Sequence, residues 1–327
     1  MRTGFARLTD RDALPAGLRD GVVAIGNFDG VHRGHQAVLG RALSIAESEG
    51  CPALVLTFEP HPRQIFQPNV PLFRLTPPEM KSRLVAALGF DAIVAQEFSR
   101  DFSTQTAEEF VDRILVGRLG IRHVVTGVDF HFGKGRQGGP AFLMAAGKTL
   151  GFGVSLVDSF RDEASEVISS SRIRLLLADG EVGQAAGLLG YRYAVTGEVL
   201  RGKQLGRTLG YPTANMALPA SNALRHGIYA VRLRRADGAI HDGVASFGRR
   251  PTVDVDGEPL LETHLFDFAG DLYGEVCQVS FFGWLRGEEK FDSLEDLYDQ
   301  MTRDDMEARA LLSSVRPLGE LDRILNF

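Results

Sequence analysis

The sequence predicts an α/β domain built on a mostly parallel sheet, followed by an antiparallel sheet or small barrel with one terminal helix. Three observations carry this. Between residue 20 and about residue 180, short β-rich runs alternate with helical stretches, the pattern of βαβ units. After about residue 184, β-rich runs follow one another through Gly, Asp and Pro turns with no helix between them. The 327 residues also exceed what one hydrophobic core ordinarily supports. The boundary falls between Gly180 and Gly190, giving domains 1–184 and 185–327.

The elements are read in order. Val22-Val23-Ala24-Ile25 opens a buried strand over 22–28, and further strands are expected at 53–58, 92–98, 123–128 and 153–158. Thr76-Pro77-Pro78-Glu79 supplies a capping residue, a proline at the first helical position and an early carboxylate. Thr106-Ala107-Glu108-Glu109 is a capping box, followed by Phe110, Ile114 and Leu115 at helical spacing. In the second half, strands are expected at 193–200, 227–234, 239–247, 260–268 and 274–285. Ser293 and Asp296 then box the start of a helix whose apolar stripe is Leu294, Leu297, Met301, Ala308, Leu311 and Val315.

Composition narrows the function classes. A formal charge of −6 argues against a general nucleic-acid binder. Cys51 and Cys277 are too few and too separated for a disulfide framework or a zinc motif. Met1 to Arg7 carries no apolar leader segment, and no apolar run approaches the ~20 residues of a membrane span. A reduced, cytoplasmic setting is expected.

The densest signal is Gly26-Asn27-Phe28-Asp29-Gly30-Val31-His32-Arg33-Gly34-His35, directly after the first strand. His32 and His35, three apart at a helix start, share one face. A helix N-terminus offers unpaired N–H groups and a positive partial charge, which suits a polyphosphate, and Gly34 removes a side chain where phosphate would approach. Other segments fall at successive strand ends: Thr57-Phe58-Glu59-Pro60-His61-Pro62-Arg63, Gly127-Val128-Asp129-Phe130-His131-Phe132-Gly133, and Ser169-Ser170-Ser171-Arg172-Ile173-Arg174. Taken singly, each reads as an ordinary cap or turn. Their joint occurrence points to a nucleotide site. Two fingerprints fail. Gly133-Lys134-Gly135-Arg136-Gln137-Gly138 fits a dinucleotide motif, but a Val-Asp-Phe-His-Phe segment separates it from its strand, so it is read as a basic loop. Gly147-Lys148-Thr149 lacks the earlier glycine of a phosphate-binding loop, since Phe142 stands there.

In the second half, Gly202 to Gly210 holds three glycines and the cations Lys203 and Arg207, and Pro212-Thr213-Ala214-Asn215 follows. Glycine-rich backbone can wrap phosphates, and a hydroxyl with an amide oxygen can ligate Mg2+. Alone, such a stretch is more often a turn between strands. Glu262 lies on an alternating strand, where a carboxylate commonly faces solvent.

Together, His32-Arg33-Gly34-His35, Asp129-Phe130-His131-Phe132-Gly133 and Ile168 to Arg174 resemble the prokaryotic bifunctional riboflavin kinase/FMN adenylyltransferase (FAD synthetase) family over nearly the whole chain. The resemblance implies a Rossmann-like nucleotidyltransferase domain and a β-barrel flavokinase domain, making FMN from riboflavin and then FAD from FMN with two ATP. It implies ATP and phosphate contacts from Gly26, Phe28, His32, Gly34, His35, Asp129, Ser169, Ser170 and Arg174, with His32 and His35 catalytic. In the kinase half it implies ATP contacts from Gly206, Arg207, Thr208, Thr213 and Asn215, with Mg2+ on Thr213 and Asn215 and Glu262 as general base. Gly248-Arg249-Arg250-Pro251-Thr252 matches the family's G-x-R-P-T loop, so Arg250, Thr252 and, on the terminal helix, Arg309 are flavin candidates. Two departures stand out: Ser171 replaces a usual threonine and Ser246 a common asparagine. The implied partners are the small molecules riboflavin, FMN and ATP, with a homo-oligomer compatible and no nucleic acid or membrane expected. The competing readings are an enzyme with one active half, an NAD-dependent oxidoreductase using residues 133–138, and a non-catalytic flavin-binding protein.

Overall fold

The computed structural model describes residues 4–201, 211–248 and 259–327, in two compact units, Met1–Ser170 and Ser171–Phe327. The first unit is a parallel sheet of six strands: β1 (Ala6–Thr9), β2 (Val22–Ile25), β3 (Ala53–Glu59), β4 (Ala92–Glu97), β5 (His123–Gly127) and β6 (Gly153–Val157). Their spatial order is β1-β4-β3-β2-β5-β6, and every neighbouring pair is parallel. From β2 the chain first steps outward through β3 to β4, then returns to the other side of β2 for β5. The crevice at the carboxyl end of β2 is therefore the topological switch point, where sheets of this kind bind ligands.

Val22 to Ile25 are buried throughout, as a central strand covered on both faces must be. Helix α1 (Arg33–Glu49) packs against β2, β3 and β5 and ends at Gly50, whose φ of +62° suits glycine. Short α2 (Pro62–Phe66) and α3 (Pro78–Leu88) precede β4. The next helix, α4, starts as Ala107–Glu109 and continues with π-type bonding over Phe110–Leu119. Its expected capping box is present: Glu109 N–H donates to Thr106 Oγ1 at 3.1 Å, and Thr106 N–H to Glu109 Oε2 at 3.0 Å. Helix α5 (Pro140–Leu150) completes this unit before β6.

Three sequence expectations need correction here. No strand was expected before residue 22, yet β1 pairs with β4 in register Ala6↔Ala92; at four residues it is too short to show a period. Thr76 does not cap α3. Pro77 takes that position with no side-chain bond, and Thr76 faces the switch-point turn instead. The strand expected at 22–28 ends at Ile25, which frees Gly26 to Phe28 for the turn.

Helix α6 (Ser170–Ala178) starts on the last residue of the first unit and otherwise belongs to the second, where α7 (Val182–Leu189) follows. The boundary expected at 184/185 lies inside α7, a helix that packs on the sheet of this unit. Among the described residues six strands follow: β7 (Ala194–Glu198), β8 (Thr213–Ala217), β9 (Gly227–Arg234), β10 (Ile240–Gly248), β11 (Leu260–Leu265) and β12 (Val276–Arg286). They form an antiparallel sheet in the order β7-β12-β9-β10-β11-β8. A bridge between Leu200 and Asn215, with Leu200 N–H donating to Asn215 O at 2.7 Å, ties the two ends of that order into a barrel. Thr213 and Asn215, in a stretch that taken alone reads as a turn, lie on the strand β8.

Helix α8 (Leu294–Ser314) packs on β9, β10 and β12, and its Ser293 cap accepts from Asp296 N–H at 3.0 Å. The expected stripe is only partly right. Leu294 is 69% exposed, whereas Asp304 is buried in bidentate contact with Arg286 at 2.8 and 2.7 Å. A second helix, α9 (Glu320–Asn326), was not expected. It is docked by arginines from the barrel: Arg232 and Arg234 donate to the carbonyls of Asn326 and Leu325 at 3.1 and 3.0 Å, and Arg192 pairs with Asp322. Asp322 is wholly buried and also accepts from Arg192 N–H and Leu318 N–H, both at 2.9 Å. Removing one member of a buried ion pair strands the other charge. Asp322→Ala is thus expected to cost roughly 3–5 kcal/mol, read as a lowered denaturation midpoint of the second unit.

Candidate functional site

Three residues in the turn after β2 have left-handed backbone: Phe28 at φ +48°, Gly30 at +90° and Val31 at +39°. Only glycine takes such angles without strain; a β-branched valine there is an outlier that surrounding structure must hold in place. Phe28 and Val31 are fully buried, and the Phe28 ring lies so close over Gly26 that a Cβ there would meet it at 2.9 Å. His32 then caps α1, its Nδ1 accepting from His35 N–H at 3.3 Å. That bond requires Nδ1 to be unprotonated, so a neutral His32 carries its proton on Nε2. The two imidazoles stack with centroids 3.6 Å apart, and Phe28 meets His35 edge-on at 5.4 Å. Burial first, then His32 and Lys81, push His35 well below the ordinary imidazole range. At neutral pH His35 is therefore an uncharged hydrogen-bonding group. Its Nδ1 is buried without a hydrogen-bond partner among the described residues. Gly34 leaves the His32 ring in place, since a Cβ there would approach it at 3.2 Å and press it aside.

Beneath this turn lies a charged network that sequence reasoning missed. Asp29 accepts from Thr76 N–H at 3.0 Å and Leu75 N–H at 3.3 Å, and Thr76 Oγ1 accepts from Gly30 N–H at 2.8 Å. Arg74 holds Glu59 through two bonds, at 3.0 and 2.8 Å, and its Nε lies 3.5 Å from Asp29 Oδ1. Lys81 donates to Glu59 Oε1 at 2.8 Å and to Thr57 Oγ1 at 3.0 Å. Thr57 Oγ1 in turn donates to Asn27 O at 3.1 Å. Burial alone would raise the Glu59 carboxyl, but Arg74 and Lys81 outweigh it and hold it below its usual value. Burial pushes the Lys81 ammonium down despite Glu59. A signal for this cluster was present in the sequence. Lys81 sits three and four residues before the core positions Leu84 and Val85, on the buried face of its helix.

The other expected residues of this half are placed as follows. Ser170 opens α6 and its hydroxyl donates to the Asp29 carbonyl at 2.7 Å, tying the serine run to the turn. Ser169 immediately precedes α6, and Arg174 lies four residues after Ser170 on it, half-buried. Asp129 is exposed just beyond β5, and its carboxylate folds back so far that a Cβ on Gly127 would meet it at 2.7 Å. The Gly133–Gly138 match is no dinucleotide turn. It is a loop closed by a Phe132–Gly138 bridge, with a single tight turn at Lys134–Arg136.

In the barrel, strand pairing assembles the expected kinase residues. The register of β8 with β11 sets Asn215 opposite Glu262 and Thr213 opposite His264. Directly opposed residues share a face, so the amide and the carboxylate lie side by side. Asn215 is buried; its Nδ2 donates to Thr213 O at 3.3 Å, while its Oδ1 has no partner among the described residues. An unpaired buried oxygen beside a threonine is a fitting donor set for a hard cation. Arg309 is engaged with Asp267 at 2.7 Å and lies over the Phe266 ring at 4.2 Å. Gly206, Arg207, Thr208, Arg250 and Thr252 lie outside the described residues.

Residues 15–172 match the family model described as FAD synthetase, and residues 189–312 match the one described as riboflavin kinase. The chain is 42% identical over 290 residues to the bifunctional riboflavin kinase/FMN adenylyltransferase of Pseudomonas fluorescens, covering 89% of this chain and 92% of that protein. It is 38% identical over 296 residues to the protein of that name from Escherichia coli, covering 90% and 94%. A crystal structure from Streptococcus pneumoniae, described as a macrolide-efflux protein, superposes with a TM-score of 0.83 at 31% identity over 93% of this chain and 98% of that one. Among the described residues, no helix is long and apolar enough to cross a membrane.

Proposed function

The chain belongs to the family of bifunctional riboflavin kinase/FMN adenylyltransferases, and from that premise we propose how its residues divide the two reactions. The enzyme phosphorylates riboflavin to FMN and adenylylates FMN to FAD, using ATP each time. One observation carries the division of labour: each of the two family matches falls largely within its own compact unit.

AMP transfer belongs to the first half, taken as residues 1–184. The FMN phosphate is already ionised at neutral pH, so the step needs no strong base. It needs in-line placement and stabilisation of charge on the α-phosphate and the departing pyrophosphate. The N–H groups at the start of α1, the imidazoles of His32 and His35, and Ser169, Ser170 and Arg174 supply these contacts. Gly26, Phe28 and Gly34 shape the turn, and Asp129 borders the site. Because His35 is held neutral, its contribution is a directed hydrogen bond rather than a positive charge.

Phosphoryl transfer belongs to residues 185–327. Here the nucleophile is the riboflavin 5′-hydroxyl, which must lose a proton as it attacks, and Glu262 takes it. Thr213 and Asn215 would hold Mg2+, which when bound neutralises charge on the ATP phosphates. Gly206, Arg207 and Thr208 complete the ATP contacts, and Arg250, Thr252 and Arg309 the flavin contacts, on the resemblance alone. Riboflavin, FMN and ATP are soluble metabolites, and we place the enzyme in the cytoplasm.

The test is separation of flavins by chromatography after incubating the protein with riboflavin, excess ATP and Mg2+. FMN should appear transiently and then give way to FAD. FMN that merely accumulates would contradict an active first half. No product from riboflavin, with FAD formed from supplied FMN, would contradict an active second half.

A further inference from the structure

We propose that Lys81 is a positioning residue for AMP transfer, holding the Asn27–His35 turn in its working conformation through Thr57 and Glu59. This rests on the assignment of that reaction to the first unit.

The argument begins with placement. Lys81 is only 1% exposed, and its Nζ is engaged by Thr57 Oγ1 at 3.0 Å and Glu59 Oε1 at 2.8 Å. Thr57 passes the constraint to the carbonyl of Asn27, the residue just before the left-handed Phe28. Glu59 passes it to Arg74, and Arg74 to Asp29, which with Thr76 fixes the far side of the same turn at Gly30. The turn is therefore gripped on both sides of the left-handed Phe28 by one connected set of groups.

Energetics point the same way. Burying ions costs several kcal/mol each, and well-packed apolar side chains of similar volume would often be equally stable or better. Asp29, Glu59, Arg74 and Lys81 carry two charges of each sign, so they balance among themselves. Such a network is a poor choice for stability alone and a good one for fixing a single geometry. Its position under the two histidines makes the geometry that of the phosphate turn. Lys81 also acts on His35 through space. The charged and titratable groups bearing on His35 are His32 on its own turn and Lys81 from α3, with Glu59, Arg74 and Asp29 facing Lys81 from β3, the preceding loop and the turn.

The experiment compares the intact wild-type chain with Lys81→Met, measuring FAD formation from FMN and ATP across pH and riboflavin phosphorylation in the same preparation. Wild-type FAD formation checks the underlying assignment independently. A misplaced reactive geometry costs on the order of 10²-fold, so kcat for AMP transfer should fall about 10- to 100-fold while riboflavin phosphorylation is unchanged. Loss of the ammonium should let His35 protonate more readily, so the acid limb of the AMP-transfer profile should move to higher pH. A purely structural lysine would lower melting temperature without moving that limb. Unchanged kcat, or reduced kcat with an unmoved acid limb, overturns the proposal. If Lys81→Met does not fold, Thr57→Val decides: a several-fold loss of kcat at unchanged KM for ATP supports the relay, and unchanged kcat overturns it.

Discussion

Replacing His32 with alanine is expected to cut AMP transfer from ATP to FMN by about 10²–10³-fold, the effect of losing one preorganised donor at a developing negative charge, about 2.7–4 kcal/mol. Riboflavin phosphorylation should continue, because His32 belongs to the other compact unit. Two effects must be separated, since His32 also caps α1 by accepting from His35 N–H. Loss of a cap costs about 1 kcal/mol of stability, too little to account for the rate. His32→Asn distinguishes them. Asparagine is a strong capping residue, so it should restore most of the melting temperature while leaving AMP transfer slow. Recovery of the rate along with the stability would mean that His32 serves only the helix.

The second large effect is expected at Glu262. Converting it to glutamine keeps the size of the side chain and removes its ability to accept a proton, and should slow riboflavin phosphorylation by about 10²–10⁴-fold. FAD formation from supplied FMN should stay at the wild-type rate, which also verifies folding. Asn215 neighbours Glu262 across the strand pair, so the pair should be compared directly. Asn215→Ala removes the buried, unpaired Oδ1 and should raise the Mg2+ requirement, whereas Glu262→Gln should not. A Glu262→Gln enzyme with unimpaired riboflavin phosphorylation would remove the general-base role, and loss of both activities would remove the division between halves.

The sequence made much of this legible, and what it hid has physical causes. The histidine turn and strands such as 227–234 could be read directly, because local chemistry and side-chain period agree there. Thr76 shows the opposite case. Its neighbours Pro77, Pro78 and Glu79 make a good helix start, but its hydroxyl is taken by Gly30, 46 residues earlier in the chain. No local rule sees such a partner. Lys81 and Glu59 were likewise invisible as a pair, since β3 and α3 must be brought together before either charge has a counterpart. β8 was hidden because Pro212 stands just before it and Ala214, Asn215 and Ala217 have weak strand preference, and pairing with β11 overrides it. The α9 helix is short, and the arginines that receive Asp322 and its terminal carbonyls come from distant positions in the chain, so no local pattern announces it.

The pairing of β8 with β11 behaves as a binary code. Successive side chains alternate between the two faces of a strand, so chemistry on the face shared by Asn215 and Glu262 depends on parity. A slip of β11 by one residue would bring Leu261 or Thr263 opposite Asn215, exchanging the carboxylate for an apolar group or a hydroxyl. A slip of two would bring up Leu260 or His264 from the correct face, still without the carboxylate. Selection on this half of the enzyme therefore acts on counting as much as on identity: point changes along these strands are negotiable residue by residue, but a single inserted or deleted position is a reading-frame error in three dimensions.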